Sequence, residues 1–244
     1  MTESYYAGVY WGRRQESAEE CARRAELFFR LLAQCHPSYS HWYEQQDSED
    51  TEARLQFEPS RETFMHFFGK EEYRSDGGGF RFGAWTGHAE QDQGGMVLIF
   101  CGAHAEGSSN HLILYFPEET AGSERMLTSP VLAGVMRAMA LAWEPDWGVI
   151  VSGDFRDSIA EQGAAGTFVG WMTYFSRQRG ELPGLPKPVR VEPVDDKGSL
   201  LVLTPDRPGP SNPEHLALGR RVQALLKERG LLERVVEPRT PYPA

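Results

Sequence analysis

The sequence predicts an α+β fold: a mixed, largely antiparallel sheet packed with a few helices, in a single domain over residues 1–244, with any subdivision falling near residue 120. Three observations carry this expectation. Tyr5 to Trp11 and Met96 to Gly102 read as strands, Cys21 to Cys35 and Leu127 to Trp143 read as helices, and the two kinds of segment do not alternate as regular βαβ units would. The chain has 244 residues, 40% of them hydrophobic, which is enough to bury a substantial core.

Each element has a local reason. Tyr5 to Trp11 alternates aromatic and small side chains as a strand does, and Gly12-Arg13-Arg14 turns out of it. Ser17 followed by Glu20 has capping-box form. Cys21, Ala25, Phe28, Leu32 and Cys35 then recur at steps of four and three, which predicts a helix facing the core and ending at His36-Pro37. Asp76-Gly77-Gly78-Gly79 is a turn, and Phe80, Phe82 and Trp85 mark a further strand. Met96 to Gly102 and His111 to Phe116 predict a buried hairpin. Leu127 to Trp143 predicts a core helix with Pro130 in its first turn. Strands are expected at Trp147 to Ser152 and Thr167 to Phe175, and a hairpin at Val189 to Val194 with Leu200 to Thr204. Leu182 to Pro188 is a stiff connection, and Pro213 to Arg229 is a last helix closed by Gly230.

Composition narrows the function. The opening segment has neither the basic leader nor the apolar stretch of a secretion signal, and no apolar run approaches the ~20 residues needed to cross a bilayer. A cytoplasmic protein without a membrane span is expected. Cys21, Cys35 and Cys101 are odd in number and lack CxxC spacing, so reduced buried thiols are expected. The net charge of -10, from 25 Lys and Arg against 35 Asp and Glu, opposes direct nucleic-acid binding and favours a basic protein partner. Between Glu44 and Glu62 seven acids stand against two arginines, a net of -5. Such a run is either a solvated face or a patch that mimics phosphates before a basic cleft. Within it Asp47, Glu49, Asp50 and Glu52 are the candidate partner-binding residues.

Catalytic signatures are missing. No HExxH, GxSxG or phosphate-loop spacing occurs, so no catalytic, metal or cofactor residue is assigned. Cys101, His104 and His111 form the best local cluster, and they read first as a core thiol with hydrogen-bonded or exposed histidines. Asp154, Asp157 and Glu161 offer an acid-base or metal group, but acids at those steps equally cap and solvate a helix start. Tyr10-Trp11, Trp42-Tyr43, Trp85, Trp143, Trp147 and Trp171 belong to the core or to a protein interface.

Several segments together are more specific. The opening from Tyr5 through Gly12-Arg13-Arg14 to Ser17, with Cys21-Ala22 and Arg24, resembles the start of the immunity protein 52 family of bacterial polymorphic toxin systems. Phe82-Gly83-Ala84-Trp85, Cys101-Gly102 with Asn110, and Ala142-Trp143-Glu144-Pro145 with Trp147-Gly148-Val149 fit the same pattern. So do Gly170 to Ser176, Leu182-Pro183, and Pro213-Glu214-His215 through Gly230-Leu231-Leu232. The resemblance covers nearly the whole chain. It implies an α+β protein, encoded beside a toxin, that binds and neutralises it without catalysis. The toxin is commonly a nuclease of restriction-endonuclease type delivered by contact-dependent or type VI secretion. The resemblance supplies no catalytic residues, and the shared aromatic and glycine positions read as fold determinants. Two other readings compete: a hydrolase with an unrecognised site at Asp154 and Asp157 or at His104 and His111, and an adaptor of the secretion apparatus. The oligomeric state is left open.

Overall fold

The computed structural model describes residues 3–44, 55–75, 78–87, 95–117, 125–160 and 163–236. In chain order its strands and helices are β1 (Tyr5–Trp11), α1 (Ala18–Leu32), β2 (Trp42–Glu44), β3 (Gln56–Phe57), α2 (Arg61–Gly69), β4 (Phe80–Trp85), β5 (Met96–Cys101), β6 (Asn110–Tyr115), α3 (Ser129–Trp143), β7 (Trp147–Ser152), α4 (Gly153–Ile159), β8 (Met172–Ser176), β9 (Arg190–Val194), β10 (Gly198–Val202) and α5 (Pro213–Glu228). The ten strands form one sheet in the order β3-β2-β4-β5-β6-β1-β7-β8-β10-β9, and every pairing is antiparallel. The α+β expectation holds. Strands from both sides of residue 120 lie in that one sheet.

Period-two patterning assigns the two faces. In β1, Tyr5, Ala7, Val9 and Trp11 are buried beneath a helical layer of α1, α2 and α3. Phe28 and Phe29 of α1 and Phe64 and Phe68 of α2 meet there, with Phe29 and Phe64 stacked at 5.3 Å. Helix α1 begins as its capping box requires: Ser17 accepts from the Glu20 amide at 3.2 Å, and the Glu20 carboxylate accepts from the Ser17 amide at 2.8 Å. It ends earlier than His36-Pro37, at Leu32, because the amides of Gln34 and Cys35 turn to the carbonyls of Leu31 and Leu32 in a tighter three-residue turn. Helix α2 was not anticipated by periodicity. Nine residues are short, yet Ser60 caps it and Phe64, Phe67 and Phe68 share one face.

On the opposite face the described helices cover one half. Trp147, Val149 and Val151 of β7, Phe175 of β8 and Leu201 of β10 pack beneath Phe155 and Ile159 of α4 and Val222 and Leu226 of α5. The expected strand from Thr167 begins only at Met172. Thr167 closes a turn onto the Ala164 carbonyl, and the Gly170 amide donates to the Thr173 hydroxyl rather than to a neighbouring strand. The hairpin of β9 and β10 turns through Asp195 at φ 45°, with the Lys197 amide returning to the Val194 carbonyl at 2.9 Å.

Candidate functional site

Beyond β1 the second face of the sheet carries no described helix. Register places its side chains in three cross-strand rows. The first is Tyr43, Trp85, Met96, Tyr115 and Tyr6; the second is Gly83, Leu98, Ile113 and Gly8; the third is Arg81, Phe100, His111 and Tyr10. Trp85, Met96, Leu98, Phe100, His111, Ile113 and Tyr115 belong to neither core, and Tyr115 is 39% exposed. Tyr6 and Tyr10 lean on the core under α4 and α5. Tyr10 folds back over Gly8, where a Cβ would lie 2.8 Å from the Tyr10 hydroxyl. Glycine is therefore what lets that ring lie down. The middle row is thus a floor of Leu98 and Ile113 between two aromatic rows.

In the third row the His111 ring stacks on Phe100 at 4.4 Å and lies 6.0 Å from Tyr10. Burial alone pushes its pKa down from 6.5 to about 4, so the imidazole is neutral at physiological pH. The face is apolar there, with Arg81 as the cation at its outer end. Beyond Arg81 and Gly83 a concavity of about 550 Å³ opens, lined also by Glu44, Leu55, Lys70, Glu72 and Tyr73. Tyr73 donates to the Glu44 carboxylate, and Lys70 stands 3.8 Å from it.

A second cleft, of about 570 Å³, lies at one end of the central strands among Trp11 to Arg14, Glu144 to Asp146, Ser176 to Gln178, and Asp196 with Lys197. Of its polar groups, Arg14, Glu144 and Lys197 serve the C-terminus of α3, joined from α1 by Arg24, while Asp146 accepts from the Gly12 amide at 3.0 Å. Arg14 donates to the Trp143 carbonyl at 2.8 Å, Arg24 donates to the Ala142 carbonyl at 2.9 Å, and both guanidiniums meet Glu16. Glu144 closes the helix in the left-handed region at φ 47°, and Lys197 at 2.6 Å and Arg24 at 3.1 Å hold its carboxylate. The Lys197 hydrogen bond, ahead of that from Arg24, keeps the Glu144 carboxyl below its ordinary pKa. The carbonyls that a helix end leaves free are satisfied by side chains, which is a structural task.

The residues proposed for chemistry do not assemble. Cys101 faces the helical layer beside Cys21, where burial drives its thiol well above the ordinary range, whereas His111 faces the opposite side of the sheet. His104 is exposed and contacts the Gly102 carbonyl at 3.2 Å. Asp154 lies in the first turn of α4 and Asp157 pairs with Arg156 at 2.8 Å; Glu161 lies outside the described residues. Among the described residues no three His, Cys, Asp or Glu side chains cluster as metal ligands would. Asp47, Glu49, Asp50 and Glu52 also lie outside the described residues, between Glu44 and Leu55, which both line the concavity.

The motif residues prove to be parts of the frame. Asn110 is fully buried; its oxygen accepts from the Ala103 amide at 2.9 Å and its nitrogen donates to the carbonyls of Gly12 and Ala103. Trp11 and Trp143 stack at 5.4 Å, and Trp171 donates to the Thr204 carbonyl at 2.9 Å. Sequence reasoning missed the three-row face. Its signals were Tyr10, Tyr43 and Trp85, read singly as core or interface residues, and the unbroken apolar run of β5, since a strand with one solvated face would alternate with polar residues.

Fold and site together define an α+β protein built on one antiparallel sheet, with an aromatic half-face left outside both cores. Residues 3–235 match the family model of immunity protein 52, and the chain belongs to that family. Among solved structures it is similar to the Pseudomonas aeruginosa T6SS protein PA0821, with a TM-score of 0.57 and 12% identity over 94% of this chain and 76% of that one. That likeness concerns the fold. No curated protein matches the chain.

Proposed function

We propose that this protein neutralises a cognate secreted toxin by stoichiometric, non-catalytic binding in the cytoplasm, and that the toxin is a nuclease of restriction-endonuclease type. The observation that carries the reading is the immunity-family match across residues 3–235. The charge of -10 supports the nuclease target, because a cleft that attracts phosphates with Lys and Arg also attracts an acidic protein. The separation of Cys101 from His111 across the sheet favours a binder over an enzyme at that cluster. Among the described residues no helix is long and apolar enough to cross a membrane.

The test is coexpression with the toxin encoded in the adjacent gene, copurification, and titration of nuclease activity. Inhibition saturating near one-to-one in a stable complex is expected. Loss of toxin activity at substoichiometric amounts would mean turnover and would restore the hydrolase reading. Copurification with secretion-apparatus components and no rescue of poisoned cells would favour the adaptor.

A further inference from the structure

We infer that the cleft at the end of the central strands binds a single carboxylate of the toxin, an Asp or Glu side chain or the chain end, through Arg13 and Arg177. This rests on the immunity reading and names the chemistry of one contact. Four separated stretches, 11–14, 144–146, 174–178 and 196–197, meet there around a volume of about 570 Å³. The acids of the lining are already engaged. Lys197 and Arg24 hold the Glu144 carboxylate, Asp146 accepts from the Gly12 amide at 3.0 Å, and Asp196 stands 3.9 Å from Lys197. Arg14 is engaged as well, with the Trp143 carbonyl and Glu16. Arg13 and Arg177 are exposed, and among the described residues neither guanidinium has an ion pair or a hydrogen bond. Trp11 and Ser176 line the same cleft, and the indole N–H of the first and the hydroxyl of the second are buried without a hydrogen-bond partner among the described residues. Guanidinium and indole groups only donate, so what the cleft lacks is an acceptor.

Charge sets the valence of that acceptor. Four cations against three acids line the cleft, a surplus of one positive charge in a chain that carries -10 overall. One carboxylate balances this surplus, and a guanidinium can grip it with two parallel N–H bonds. A phosphate dianion or a run of phosphodiesters would instead bring excess negative charge against Glu144, Asp146 and Asp196. Exposure selects the carrier. A small acid needs a pocket that encloses most of its surface, whereas the two free guanidiniums stand in solvent, and a carboxylate on a protein arrives with neighbours that exclude water. The frame beneath them is preset. Asn110 holds the Gly12 carbonyl, Arg14 the Trp143 carbonyl, and the Ser176 amide the Asp146 carbonyl, so binding has little backbone left to order.

The experiment measures affinity for the adjacent-gene toxin domain, inactivated at its catalytic residue, by calorimetry, and maps amide exchange of the complex. Arg13→Gln, Arg177→Gln and the double substitution are compared with Arg30→Gln in the last turn of α1, which removes the same charge as either single variant. Each single cleft variant is expected to weaken binding about tenfold and the double variant about a hundredfold, with Arg30→Gln within about threefold of wild type. Complex formation should protect the amides of 11–14 and 174–178. Neither arginine has a described partner to lose, so the variants should keep the wild-type melting transition. Wild-type affinity in the double variant, with protection elsewhere, overturns the cleft while leaving immunity intact. An equal change in Arg30→Gln and in the single cleft variants assigns the effect to the field of the whole chain and also overturns it. A short DNA duplex that binds wild type but not the double variant makes the ligand a phosphate and overturns the carboxylate. A wild-type protein that forms no complex with the toxin overturns the immunity reading and the cleft with it.

Discussion

Replacing His111 with phenylalanine isolates one titration in the sheet. The ring lies between Phe100 and Tyr10, and phenylalanine can occupy the same stack. In the unfolded chain the imidazole takes up a proton near 6.5, whereas in the folded protein burial holds it neutral until about 4. Between these values the unfolded state binds more protons, so the histidine's contribution is intact above pH 6.5 and is lost as pH falls toward 4. The full difference is worth about 3 kcal/mol, of which about 2 kcal/mol is lost by pH 5. Urea denaturation of both proteins at pH 7, 6 and 5 reads this directly, because carboxylate titrations common to both cancel. Wild type should lose about 2 kcal/mol more than His111→Phe between pH 7 and 5. Parallel stability curves would refute the argument and show that the imidazole is solvated in the folded sheet.

Two further outcomes follow from charges. Reversing Asp47, Glu49, Asp50 and Glu52 to lysine moves the net charge from -10 to -2 and should slow toxin association most at low salt, leaving melting unchanged; stopped-flow rates that do not respond at low ionic strength would reduce the run to a solvated segment. Arg24→Met removes a donor to the Ala142 carbonyl and a partner of both Glu16 and Glu144, and should cost about 2 to 3 kcal/mol in equilibrium unfolding.

Local chemistry made much of the fold legible. The Ser17 and Glu20 box, Pro130 at the start of α3, the β9 and β10 hairpin and the Gly230 stop each act over a few residues, so the sequence states them directly. Sheet order is different: β1 lies between β6 and β7, and nothing near Tyr5 specifies partners so distant. The half-face was hidden for a related reason. Met96, Leu98 and Phe100 are as apolar as Val97, Ile99 and Cys101, and what distinguishes them is that the described helices pack over the second set. Trp85 and Trp42 show the same ambiguity, since register alone puts the first among the rows and the second in the core.

The position of β1 also bears on how the molecule assembles. It is the sole ladder joining β6 to β7, whose contacts with it span roughly a hundred and a hundred and forty residues, separations that slow folding. During synthesis this ribbon leaves the ribosome well before either neighbour exists. Without it the sheet would divide into two halves, each with a bare edge able to recruit another chain. Damage to β1 is therefore expected to expose both edges at once and to show first as aggregation.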